Sequence, residues 1–140
     1  MRYLTEEMFL SGKPVAQGEV LLWMKKYAPK AVLDGLAALK NLSAVSIPEE
    51  GFVLGHSETG HNHVLVLDRQ KETNVPFSKA AQILIDSAND NLIELKLSAP
   101  CALVHNRSFD AHDTIVLPPG DYIRGIREEQ TVEGWRRSAD

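Results

Sequence analysis

The chain has 140 residues, 44% of them hydrophobic and 24% charged, and its 19 acidic against 15 basic residues give a formal net charge of −4. That size and mixture fit one globular domain with an apolar core and exclude a disordered or fibrous chain. The acidic balance, with no Lys/Arg stripe interleaved with aromatics, argues against direct nucleic-acid binding, and the single Cys101 excludes an intrachain disulfide framework.

Residues 1–18 mix Met8, Phe9 and Leu10 with Ser11-Gly12-Lys13-Pro14 and read as an N-terminal arm or irregular lead-in ahead of the first strand, and such an arm often packs on a neighbour. The opening Met1-Arg2-Tyr3-Leu4-Thr5-Glu6-Glu7 lacks the basic head and apolar centre of a signal peptide, and no later apolar run reaches the length of a membrane span. Synthesis in the cytoplasm and no membrane partner are therefore expected. Residues 19–26, Glu19 to Lys26, read as a strand. Residues 29–41 read as a helix, because Ala31, Val32, Leu33, Leu36, Ala37 and Leu39 recur at helical spacing despite Gly35.

Pro48-Glu49-Glu50-Gly51 predicts a turn, after which Phe52-Val53-Leu54 and Val64-Leu65-Val66-Leu67 flank a histidine-rich turn as a hairpin. Residues 78–89 fit a second helix with Ser78 as N-cap, since Ala80, Ala81, Ile83, Leu84 and Ala88 follow a 3.6 period. Residues 92–98 alternate, with Ile93, Leu95 and Leu97 on one face and Glu94 and Lys96 on the other. Three further strands are expected at 101–105, 113–117 and 121–126, the last two joined through Pro118-Pro119-Gly120. Many short strands at regular spacing predict a mainly β fold, a jelly-roll or cupin-like β-sandwich with one or two short helices. The body is placed at 19–128 and a C-terminal tail at 129–140.

All five histidines fall in two segments, His56, His61 and His63 in the first turn and His105 and His112 later. His61 and His63 are two apart and share one face of a strand, where two imidazoles can converge on one cation. His105 and His112 flank a loop able to return further ligands. Two readings stand side by side. In one, the histidines are hydrogen-bonding residues of a glycine-permitted turn; in the other, His61, His63, His105 and His112 hold one transition-metal ion. Glu58 beside His56 offers an acid/base pair, but without a pocket it carries little information. Cys101 lies in an apolar stretch and reads as inert core. No phosphate-binding glycine loop, nucleophile elbow or paired-cysteine zinc pattern is present, so no catalytic residue is assigned.

Gly55, then five residues, His61-Asn62-His63, four residues and Asp68 resemble the first cupin signature, and Pro118-Pro119-Gly120 resembles the turn of the second. Asp68 stands where cupins carry Glu, and Ile123 stands where the second signature has its histidine. The segment Leu103-Val104-His105 through Leu117-Pro118-Pro119-Gly120-Asp121-Tyr122 is similar to a group of small bacterial and phage β-proteins. Over its whole length, arm and tail included, the chain resembles the jelly-roll cementing (decoration) proteins of tailed-phage capsids, of the Bordetella-phage type. That resemblance implies a non-enzymatic homodimer without cofactor, made in the host cytoplasm and carried on the capsid exterior of the virion, where it clamps neighbouring major capsid subunits. Tyr3, Met8, Phe9 and Leu10 in the arm and Trp135 in the tail are its expected interface anchors. The alternative is a cupin-like metal-dependent enzyme built on the histidine cluster.

Overall fold

The computed structural model describes residues 1–56, 61–70, 74–105, 114–131 and 134–137, with 128–131 and 134–137 described through their backbone alone. The strands are β1 (Arg2–Tyr3), β2 (Val15–Gln17), β3 (Val20–Met24), β4 (Ser43–Ala44), β5 (Phe52–Gly55), β6 (His63–Leu67), β7 (Ala81–Asp86), β8 (Asn89–Leu97), β9 (Cys101–His105), β10 (Ile115–Leu117), β11 (Gly120–Ile126), β12 (Glu128–Thr131) and β13 (Gly134–Arg137). Two short α-helices, α1 (Lys30–Ala37) and α2 (Phe77–Ala80), and two 3-10 turns, Glu6–Phe9 and Lys25–Tyr27, complete the elements. The fold is mainly β, as expected, with two sheets packed as a sandwich.

One sheet runs β1-β10-β9-β6-β5 and the other β2-β3-β11-β8-β7-β4; β12 and β13 form a separate hairpin. The hairpins β5–β6 and β7–β8 each close within one sheet, and the first and last long strands of the body, β3 and β11, lie side by side. Pairing of β6 with β9 sets Leu65 against Leu103 and Leu67 against Cys101. On the facing sheet, Tyr122 lies between Met24 and Leu95. These residues, with Val20, Leu22, Ile83 and Phe77, form the core and are almost wholly buried.

The outer face of the second sheet carries Trp23, Glu94 and Ile123 in register across three strands. Helix α1 packs over this face against β8. Gly35 sits at the close approach, where a Cβ would come 3.0 Å from Leu92 Cδ1. Ile123 is 0% exposed as a result, and Glu94 is held by the Lys25 ammonium at 3.0 Å.

Three expectations are corrected. The helix expected at 78–89 is a single turn, Phe77–Ala80, followed by β7. Ala81 and Ile83 fit a period of two as well as one of 3.6, and pairing with Leu97 and Leu95 of β8 decides between them. The turn back into β8 is closed by Asp86, whose Oδ1 accepts the Ala88 N–H at 3.0 Å. The helix expected over 29–41 ends at Ala37.

The third correction concerns residues 1–18, which pack on the chain's own body. Strand β1 pairs in parallel with β10, and Leu4 and Phe9 are 5% and 1% exposed. Phe9 meets Tyr122 edge to face at 5.6 Å between ring centres. It is a core residue and is not available as an interface anchor.

Candidate functional site

At one end of the sandwich, β6 and β9 place His63 opposite His105 on the inward face. The two rings lie parallel, 4.3 Å apart between centres with 11° between planes. His63 is 0% and His105 4% exposed, so this stack is an interior structure. His61, exposed at the rim, is 6.3 Å from His105 and edge-on to it.

Gln17, at the end of β2 in the opposite sheet, ties this pair in place. Its Nε2 donates to the Leu103 carbonyl at 2.9 Å, which leaves Oε1 turned to His63 Nδ1 at 2.7 Å. An amide oxygen can only accept, so His63 donates from Nδ1 to Gln17. Gln17 thereby links the two sheets through one side chain.

Glu19, 1% exposed, stands beside the same histidine. Gly55 makes room for both: a Cβ there would lie 3.2 Å from Glu19 Oε1, 3.4 Å from His63 Cδ2 and only 2.5 Å from Val20 Cγ2. The Glu19 carbonyl accepts the Arg127 N–H at 2.7 Å, which anchors the chain just before β12. Next to this end, a cavity of about 210 Å³ is lined by Leu54, Gly55, His56, Asp90, Ile93 and Arg124 among others. Arg124 is 5% exposed and crosses the sandwich, donating from Nη1 to the Leu54 carbonyl at 2.9 Å and from Nη2 to the Asp90 carbonyl.

The opposite end holds a groove of about 560 Å³ lined by Glu6, Met24, Lys25, Lys26, Leu33 and Pro119 to Asp121. Nearby, burial and then the Asp68 carboxylate push the Cys101 thiol up to about 12, and Cys101 is fully buried. Burial likewise raises the Tyr122 phenol, whose hydroxyl donates to the Pro118 carbonyl at 2.6 Å.

Of the histidines singled out in the sequence, His61, His63 and His105 come together; His56 is exposed on the rim, and His112 lies outside the described residues. Glu58 lies outside them too, as does the side chain of Trp135. Tyr3, Met8 and Leu10 are 44%, 47% and 54% exposed. Among the described residues, no group of three or more His, Cys, Asp or Glu side chains is arranged to hold a metal ion as it stands. Asp68, the cupin-like carboxylate, is at the far end of β6 and bonded to the Gln70 N–H, so it takes no part in the histidine end. Gln17, Glu19 and Arg124 were missed in the sequence, where only the polar break between Tyr122 and Ile126 hints at an inward Arg124.

A β-sandwich with histidines stacked at one end is the class of protein this geometry defines. The chain belongs to the family described as a domain of unknown function, DUF8820, whose model matches residues 16–127. No curated protein and no solved structure matches it.

Proposed function

We propose that the chain is a structural binding module, a decoration protein that cements neighbouring major capsid subunits on the outside of a tailed-phage shell and acts as a homodimer. The observation that carries this reading is the N-terminal segment. Leu4 and Phe9 fix it to the core, while Tyr3, Met8 and Leu10 remain 44%, 47% and 54% exposed. A backbone segment already packed on the core loses little conformational freedom on docking, so more of the burial of its apolar side chains shows up as affinity. The sequence resemblance supplies the shell as partner, and this apolar set supplies a contact for it.

The test is co-sedimentation of the full chain with empty capsids. Combined Tyr3→Ser, Met8→Ser and Leu10→Ser substitutions are expected to weaken binding at least about tenfold, while the melting temperature falls by no more than about 5 °C. Undiminished binding by a folded triple variant overturns the reading.

A further inference from the structure

We propose that the hairpin β12–β13 is the contact through which two copies of this chain join, its β13 edge pairing antiparallel with the β13 edge of a second copy into one four-stranded sheet. The contact gives the homodimer of the capsid reading its interface and rests on that reading only for the number of copies. The hairpin belongs to neither sheet of the sandwich. It starts just after β11, where the ladder with β3 runs out at Ile126 opposite Val20 and the Arg127 N–H on the Glu19 carbonyl at 2.7 Å. On the other flank, β8 pairs with β11 only as far as Ile93 opposite Arg124. Among the described residues, 128–131 and 134–137 therefore have only each other as ladder partners, and two strands by themselves are marginal in water. Their outer edges carry the backbone N–H and C=O groups that an added strand satisfies.

The order of residue types suits a second copy as the added strand. Within the hairpin, Glu128 stands opposite Arg137, Glu129 opposite Arg136, and Gln130 opposite Trp135. An antiparallel pair of identical strands is two-fold symmetric, so it closes after two chains. With the axis between Trp135 and Arg136, Trp135 stands opposite the second copy's Arg136, and Gly134 opposite its Arg137. One row across the four strands then reads Gln130, Trp135, Arg136, Glu129, and the next reads Glu128, Arg137, Gly134, Thr131, the last two residues of each row coming from the second copy. No like charges are neighbours in either row, and an aromatic residue opposite a cation is a favourable cross-strand pair. Of the hairpin's two edges, only β13 sets Trp135 between strands on both sides, at the centre of the contact, where aromatic residues contribute most.

The experiment uses the full chain without capsids. Analytical ultracentrifugation should show a monomer–dimer equilibrium, and Trp135→Ser should weaken dimerisation at least about tenfold while circular dichroism shows the body still folded. The register has its own readout. An equimolar mixture of Gly134→Cys and Arg137→Cys chains, mildly oxidised, should give a disulfide-linked dimer well above that from either chain alone, because the two positions stand opposite each other across the axis. Cys101 is buried and does not compete. The proposal is overturned if the folded chain stays monomeric, if Trp135→Ser dimerises as tightly as the parent, or if the mixture cross-links no more than its separate chains. Dimerisation through β13 by a chain that does not bind capsids upholds this contact and sinks only the capsid reading.

Discussion

Replacing Phe9 with alanine separates two descriptions of the N-terminal segment, an arm that reaches a neighbour or a piece of the core. Phe9 is 1% exposed, and its ring meets Tyr122 edge to face at 5.6 Å. Burying a phenylalanine removes about 170 Å² from water, worth about 4 kcal/mol at about 25 cal/mol per Å². Truncations of this kind cost about 3–5 kcal/mol once the residual cavity is included. At roughly 3 °C per kcal/mol for a domain of this size, Phe9→Ala should lower the melting temperature by roughly 10–15 °C. Leu10→Ala, at a position 54% exposed, should move it by no more than about 2 °C. Thermal denaturation followed by circular dichroism on the two variants checks this. Equal melting temperatures for Phe9→Ala and the parent would refute the packing argument and return residues 1–18 to the status of a detachable arm.

Three other outcomes follow from the buried groups and their packing. Cys101 is buried with its thiol pushed up to about 12, so a thiol reagent at pH 8 should label it only as fast as the chain unfolds, and full labelling of the native protein within minutes would contradict this. Since the folded state holds that proton more tightly than the unfolded state, stability should be undiminished below about pH 8.5 and fall as pH rises toward 12, with Tyr122 shifted in the same direction. A urea midpoint unchanged between pH 8 and pH 11 would count against it. Gly55→Ala forces a Cβ to 2.5 Å from Val20 Cγ2 and should cost about 1–3 kcal/mol through overpacking, read as a lower urea midpoint at constant slope.

Much of the body was legible in the linear pattern. The alternation Ile93-Glu94-Leu95-Lys96-Leu97 gave the facing of β8, and the apolar runs on either side of the histidine turn gave the β5–β6 hairpin. The segment 81–86 was misread because alanines and branched aliphatics satisfied helical and strand periods equally, and strand pairing across to β8 decided the matter. Phe9 was misplaced for a related reason: hydrophobicity marks a residue for burial without saying which surface buries it.

The sequence by itself determined that His63 shares its face with Leu65 and Leu67, because side-chain alternation along a strand is local; His61, expected on that same face, lies ahead of β6 and is exposed. Only the tertiary structure brought His105 against His63, 42 positions away, through the register of β6 with β9, and only sheet packing brought Gln17 across to hold the pair. Cross-strand register and sheet stacking depend on the whole apolar surface being buried at once, and no local pattern records where a polar residue such as Gln17 or Glu19 will end up in that assembly.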